Sequence, residues 1–213
     1  MARILFVLAV TYTVNAQVPK VEAWGEVTGT AWRNERTEVN YNFQHRSYPN
    51  RLDAYSTRIG PMAEHRLRDG VSLWGGVYFH HVQSGVGEKQ RFTDYVRFFG
   101  GLNYRVYRKG ILQIDGRTTT ERWMGLNSAA GSTRLRQRVL VNFDQPIAPY
   151  FSGELFALPS GLLSNRTTVG LRTRFKPEWQ LLTGVVWENR SFSHQPERYW
   201  LTMSIVYRRR ART

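Results

Sequence analysis

Apolar and polar residues alternate along most of the chain, and this alternation predicts β-strands. Successive side chains of an extended strand point to opposite faces, so alternation creates one apolar and one polar face. The stretch TRLRQRVLVNF, residues 133–143, places Arg134, Arg136 and Arg138 on one face and mostly apolar residues on the other. Gln137 is a polar exception on that apolar face. The same pattern recurs in TEVNYNFQH, VSLWGGVYF, RFTDYVRFFGGLNYRVY, RTTVGLRTRF and WQLLTGVVWENR.

About eleven such segments follow one another, and they predict a meander of β-hairpins. They begin near Val21, Thr37, Leu52, Val71, Phe92, Ile111, Thr133, Pro149, Asn165, Trp179 and Tyr199. Tight turns such as RDG, RKG and KPE alternate with longer connections such as QSGVGEKQ and GLNSAAGS, which gives the meander two different ends. The predicted fold is all-β: an antiparallel transmembrane barrel of about 10–12 strands with a polar, arginine-rich lumen. Because bacterial single-chain barrels have even strand numbers, we expect ten strands or twelve.

Alternation alone does not separate a membrane barrel from a soluble one, because the two differ only in which face points inward. The spacing of aromatic residues along the strands favours a membrane barrel. Trp179 and Trp187 share one face, as do Tyr199 and Tyr207. Eight tilted strand residues span roughly 20 Å along the membrane normal, close to the height of an apolar band with an aromatic residue at each edge.

The first sixteen residues, MARILFVLAVTYTVNA, resemble a secretory signal peptide. Arg3 precedes a short apolar run, and small residues stand before a cleavage site after Ala16. We therefore expect residues 1–16 to be removed and residues 17–213 to form a single barrel domain in the bacterial outer membrane. The chain has no cysteine, which excludes disulfides, thiolate metal sites and a lipoprotein anchor.

The formal net charge is +14, and nearly all of the cations are arginine. Lysine occurs only at Lys20, Lys89, Lys109 and Lys176. Arginine suits partly buried positions, where its planar guanidinium pairs with carboxylates, although a genome rich in G and C would also raise its content. An exported chain has little access to nucleic acid, so we predict no nucleic-acid partner.

The polar faces of the strands predict a lumen network of arginines and acids, with a structural role or a role in an ion path. We expect the three arginines of residues 133–143 to face the preceding strand at Asp115, Arg117 and Glu121. The predicted network comprises Arg97, Arg105, Asp115, Arg117, Glu121, Arg134, Arg136, Arg138, Glu154, Arg166, Arg172, Glu188 and Arg190.

The sequence predicts no catalytic residue, metal site or cofactor. His80, with Ser84 or Ser72 nearby, is the one arrangement that suggests a hydrolase, and we interpret it as chance proximity. Glu121 and Glu154 are poor general acids, because surrounding arginines favour the ionised carboxylate. His80 and His81 are adjacent, so in a strand they point to opposite faces and do not share a metal ion.

Several short motifs carry a resemblance to a known family: AWGEVTG around Trp24, DGRTTTERW, RLRQR, PYFSGELF and NRTTVGLR. They resemble a bacterial outer-membrane barrel family known as domain of unknown function 2490. The matching positions are Arg117, Glu121, Arg122, Arg134, Arg136, Arg138, Tyr150, Glu154, Asn165, Arg166 and Gly170. The resemblance implies an outer-membrane barrel and supplies no activity. Unlike many such barrels, the chain continues past its last aromatic residue, Tyr207, with RRRART, so we expect an internal assembly signal.

Three hypotheses about function follow. The preferred one is an integral outer-membrane barrel, either structural or a narrow pore that favours anions, because arginine rings select anions. Its expected partners are membrane lipids, lipopolysaccharide and the outer-membrane assembly machinery, with no solute identified. The second is an outer-membrane enzyme acting on lipid or lipopolysaccharide. The third is a soluble periplasmic barrel that binds an anionic ligand.

Overall fold

Eleven β-strands account for most of the residues that the computed structural model describes, which are 21–47, 54–84, 91–127, 131–190 and 197–209. The predicted signal peptide and its cleavage site lie outside these residues. No helix among them is long and apolar enough to cross a membrane. The strands are β1 Val21–Arg33, β2 Thr37–Ser47, β3 Ala54–Arg68, β4 Val71–Ser84, β5 Arg91–Lys109, β6 Leu112–Gly125, β7 Gly131–Phe143, β8 Ile147–Leu158, β9 Gly161–Lys176, β10 Trp179–Asn189 and β11 Arg198–Tyr207.

The strands form one closed barrel, which confirms the predicted fold class. Each strand pairs antiparallel with the next one along the chain, and β1 pairs with β11 in parallel. The expectation of an even strand number is wrong. Because direction reverses at every step, the first and last of eleven strands run the same way, so the closing pair is parallel. This parallel seam runs from Val21 opposite Tyr199 to Gly29 opposite Tyr207, and it leaves none of the eleven described strands with an unpaired edge.

The barrel has two different ends, as predicted. Tight connections lie at one of them, here called the turn end. Gly70 and Gly110 occupy two of these turns with φ of +69° and +55°, a conformation that favours glycine. At the opposite end, the loop end, the even-numbered strands β2, β4, β6, β8 and β10 finish and the odd-numbered strands β3, β5, β7, β9 and β11 begin. The start of β1 lies at the loop end, whereas β11 finishes at the turn end.

Apolar side chains cover the outer face of the barrel, and polar side chains fill its interior. Every strand carries an exposed large hydrophobic residue, such as Val139 with 44% of its surface exposed and Val169 with 49%. Their neighbours on the opposite face are buried or half-buried and mostly polar. The predicted outward direction of Leu135 and Val139 on β7 is confirmed, since both are exposed.

Gln137, the polar exception on the outer face of β7, belongs to a small hydrogen-bonded group. Thr118 Oγ1 donates to Gln137 Oε1 over 2.5 Å, and Gln137 Nε2 donates to the Tyr104 hydroxyl over 2.6 Å. Mutual hydrogen bonding satisfies these polar groups on an otherwise apolar face.

Candidate functional site

An ion-pair ladder runs along the inner wall from β6 to β10 and contains six predicted residues: Glu121, Arg134, Arg136, Glu154, Arg166 and Glu188. At its β6 side, Arg134 Nε donates to Glu121 Oε2 over 3.0 Å. Arg136 joins two acids, since Nη2 donates to Glu154 Oε1 and Nη1 lies 3.7 Å from Glu121 Oε1. Each of these contacts spans a strand boundary, so the ladder ties neighbouring strands together.

The ladder continues through Arg166 on β9. Its Nη1 lies 3.4 Å from Glu154 Oε2, and its Nη2 lies 3.2 Å from Glu188 Oε1. Ser164 Oγ donates a further hydrogen bond of 3.3 Å to Glu188 Oε1. The strand register explains the pairing, because Arg166 stands opposite Glu154 on one side and Glu188 on the other. Arginine and acid therefore alternate around half of the barrel.

The lumen is packed at the level of the ladder. Glu121 is 1% exposed and Glu154 is 6% exposed. Phe156 and Trp200, also inward-facing, are each 1% exposed. Buried charges need partners to offset their lost hydration, and the alternation of arginine and carboxylate supplies them. The ladder arginines keep 14–21% of their side-chain surface exposed, so the ladder narrows the lumen at this level and buries mainly its carboxylates.

Arginines and tryptophans stack along the inner side of the parallel seam. Trp24 on β1 stacks on Trp200 on β11, with ring centroids 4.6 Å apart. The guanidinium carbon of Arg46 lies 3.4 Å from the centroid of Trp24, and that of Arg166 lies 4.9 Å from the centroid of Trp200. We call these four residues the seam stack. Arg166 belongs to both groups, so it connects the seam stack to the ladder.

The guanidinium of Arg97 lies among aromatic rings. Arg97 is 5% exposed, and its guanidinium carbon lies 4.9 Å from the centroid of Tyr78 and 5.2 Å from that of Trp123. Arg58 lies against Tyr78 as well, at 4.9 Å, and pairs with Glu26 at 3.2 Å. No carboxylate of the described residues lies within ion-pair distance of Arg97, and its guanidinium is in cation–π contact with these rings instead.

Two of the three β6 residues predicted to face the β7 arginines do so. Glu121 stands opposite Arg134, as expected for an ion pair, and Arg117 stands opposite Arg138. Asp115, however, stands opposite Leu140. Asp115 accepts hydrogen bonds from neutral side chains instead, from Gln113 at 2.7 Å and Asn142 at 3.2 Å. The register of the hairpin, which the alternation does not specify, accounts for the difference.

Three inward arginines nearer the turn end form no ion pair with the described residues: Arg117, Arg138 and Arg172. We call them the unpaired trio. Arg117 Nε donates to Asn103 Oδ1 over 2.5 Å, and its guanidinium lies 4.0 Å from the centroid of Trp74. Arg172 donates to Asn142 Oδ1 over 3.2 Å and to the carbonyl of Phe143. The Nε atom of Arg138 is buried without a hydrogen-bond partner. Among the described residues, two inward acids of this half, Glu64 and Asp115, accept hydrogen bonds only from neutral side chains, so its unpaired arginines outnumber its unpaired carboxylates by three to two.

The two remaining predicted network residues lie near the ends of the barrel. Arg105 reaches Asp69 at the turn end, with Nη1 3.4 Å from Oδ1, and the Asp69 side chain is 93% exposed. Arg190 follows the last residue of β10 at the loop end. Neither residue belongs to the ladder.

The structure separates His80 from Ser72, one of the two serines that suggested a hydrolase. His80 is 7% exposed and lies inside the lumen against Trp123, at 4.6 Å between ring centroids. Ser72 lies eight positions earlier on the same strand, roughly 26 Å away at the usual rise per residue, and donates to Glu64. The side chain of Ser84 lies outside the described set. The described chain brings no three metal-ligating side chains together.

A row of polar side chains crosses the outer face near the loop end. His81 Nδ1 lies 2.7 Å from Asp94 Oδ1, and His45 Nδ1 lies 3.0 Å from Thr57 Oγ1. The row is continuous, because Thr57 stands opposite both His45 and His81 in register. This polar row lies between the apolar part of the outer face and the loop end of the barrel.

The predicted network did not include the seam stack residues Trp24, Trp200 and Arg46, nor Tyr78. A signal for three of them was present in the sequence. Trp24, Tyr78 and Trp200 occupy polar-face positions of their strands, where a large aromatic side chain indicates packing inside the lumen.

A known family model matches most of the chain. The model of the family described as Protein of unknown function (DUF2490) matches residues 21–199, from the first strand to the start of the last. Searches of curated proteins and of solved structures gave no significant match. The chain belongs to the DUF2490 family.

Proposed function

We propose that this protein is an integral outer-membrane β-barrel with a structural role and a lumen closed by the ion-pair ladder. The observation that carries the proposal is the reversed polarity of the barrel. Large apolar side chains such as Phe79, Phe98 and Phe151 are 43–53% exposed on the outer face, while Glu121 and Glu154 are buried inside. A barrel in water has the opposite arrangement, whereas lipid requires this one.

Strand length and the positions of aromatic residues support the proposal. The strands contain 10 to 19 residues, and a tilted strand needs about 9–11 residues to cross a bilayer. Trp179 and Tyr207 pack together at the turn end, with ring centroids 4.9 Å apart. At the loop end, Trp187 Nε1 and the Tyr199 hydroxyl both donate to Glu197. Aromatic residues at two levels match the girdles at the two membrane interfaces.

The same arrangement disfavours the two alternatives. A soluble barrel would leave the apolar outer face in water, which favours aggregation. An enzyme needs a nucleophile beside its base, and His80 and Ser72 are far apart. The outward row of His81, Asp94 and Thr57 fits better as the polar border of the lipid-facing belt at headgroup level. Lipopolysaccharide and the outer-membrane assembly machinery are the partners that this proposal implies.

Membrane integration is tested by expressing the full chain and fractionating the cells. The proposal expects the protein in the outer-membrane fraction, soluble only in detergent, with a folded band that migrates differently from the heated band on gels. A detergent-independent, monomeric protein in the soluble periplasmic fraction contradicts it.

The closed lumen is tested in planar bilayers with purified protein. The packed ladder predicts no steady conductance for the wild-type protein. Removing Phe156 and Glu154 together should open the lumen and leave arginine in excess in the ladder as well as in the unpaired trio, so the resulting current should favour anions. Steady wild-type conductance contradicts the closed barrel, and cation preference in the opened variant contradicts the charge argument.

A further inference from the structure

We infer that the turn end of the barrel holds the headgroup of an anionic phospholipid. This inference rests on the proposed membrane location. A cavity of about 610 Å³ lies between the ends of β1, β9 and β11 and the turn before β8. Its size is within the range of small-molecule sites. Its lining includes five cationic side chains and no carboxylate: Arg33, Arg174, Lys176, Arg208 and Arg209.

The charge of the cavity is only partly balanced by nearby acids. Arg33 lies 3.5 Å from Glu38, and Arg174 lies 3.4 Å from Asp144. Among the described residues, no carboxylate lies within ion-pair distance of the other three cations, Lys176, Arg208 and Arg209. A phosphate group bound here would therefore meet several cations and gain charge-assisted hydrogen bonds.

The neighbouring outer face favours a lipid over a soluble phosphate. Phe175 lines the cavity and is also 56% exposed. Its ring lies 6.4 Å from that of Trp179, and Trp179 packs on Tyr207. These aromatic residues continue into the apolar outer face at Leu171, which is 44% exposed. An amphiphile can thus place its phosphate in the cavity and its acyl chains along β9.

A second cavity at the turn end provides the control. It measures about 430 Å³ and is lined by Arg68, Arg105 and Arg108, but also by Asp69, which pairs with Arg105. A carboxylate in the lining repels a phosphate. The control variant Arg68→Gln/Arg108→Gln/Lys109→Gln therefore removes the same charge from the same end of the barrel without touching the proposed site.

The experiment adds phosphatidylglycerol and phosphatidylcholine to purified full-length protein and counts bound lipids by native mass spectrometry. Wild-type protein should prefer phosphatidylglycerol. In Lys176→Gln/Arg208→Gln/Arg209→Gln the preference should fall about fivefold for each cation removed, since a basic residue near an anionic surface contributes about 1 kcal/mol. The control variant should keep the wild-type preference.

Two outcomes overturn the inference. One is an equal loss of preference in both variants, which would indicate general attraction by the basic rim. The other is binding of free glycerol phosphate with no preference between the two lipids, which would indicate a soluble ligand. Insertion into phosphatidylcholine vesicles, measured separately, tests the membrane location itself and does not depend on this site.

Discussion

Trp24 and Trp200 stack across the parallel seam of the barrel, with ring centroids 4.6 Å apart and ring planes inclined by 25°. They join the first and last strands, the two elements farthest apart in the chain. Parallel pairing is slightly less stable per residue than antiparallel pairing, so the seam is the closure that most needs side-chain support. The stack supplies it from inside the lumen.

Replacing Trp200 with alanine should destabilise the barrel strongly. The side chain is 1% exposed, and loss of a buried tryptophan costs about 3–5 kcal/mol. Urea unfolding in detergent, followed by the shift between folded and unfolded gel bands, measures the change. The control is Trp32→Ala, on a side chain 49% exposed. An equal loss in both variants contradicts the role of the stack.

Glu154→Gln should be among the most damaging changes of a single charge. Glu154 is buried between Arg136 and Arg166, so the variant leaves two half-buried guanidiniums without their shared carboxylate. Breaking a buried ion pair costs about 3–5 kcal/mol. Asp69→Asn, at an exposed ion pair with Arg105, should change the free energy of unfolding little. If Glu154→Gln unfolds at the same urea concentration as wild type, the ladder does not stabilise the barrel.

Two glycine-to-alanine variants should change the free energy of unfolding differently. A Cβ at Gly170 would lie 2.3 Å from the carbonyl oxygen of Thr183 and 2.5 Å from the ring of Tyr150, whereas a Cβ at Gly153 meets nothing within 4 Å. Overpacking typically costs about 1–3 kcal/mol. Gly170→Ala should therefore lower stability, and Gly153→Ala should leave it near wild type or raise it. A stable Gly170→Ala protein would show that Tyr150 does not pack here.

A charge on the outer face should impair insertion. Val139 is 44% exposed on β7, and an arginine at the bilayer midplane costs a barrel about 2–4 kcal/mol. Val139→Arg should reduce the fraction of protein that folds into lipid vesicles. Gln145→Arg, in the exposed turn after the same strand, adds the same charge away from the apolar belt and serves as the control. Equal insertion of both variants contradicts lipid contact at Val139.

The strand pattern was predictable because side chains alternate with a period of two, and ten of the eleven strands begin within two residues of their predicted starts. The exception is β9, which begins at Gly161, earlier than the predicted Asn165. Alternation also predicted that the Val139 side chain points outward and that Arg134 lies on the opposite, inward face of the strand.

Register and closure were not predictable in the same way. Sliding β6 against β7 by two residues keeps every side chain on its face, so the alternation does not reveal that Arg138 meets Arg117 rather than Asp115. The parallel seam depends on the parity of the strand number and on contacts between Trp24 and Trp200, which are 176 residues apart in the chain. Short motifs along the sequence carry no information about such contacts.

The central claim is that the outer face at Val139 contacts lipid. The chain has no cysteine, so a spin label on Val139→Cys reports from a single site. Power-saturation measurements in vesicles compare its exposure to oxygen, which dissolves in lipid, with its exposure to a water-soluble nickel complex. The account predicts high oxygen and low nickel exposure at Val139, and low oxygen exposure for a label on the inward-facing Ser152→Cys. High nickel exposure at Val139 would contradict it.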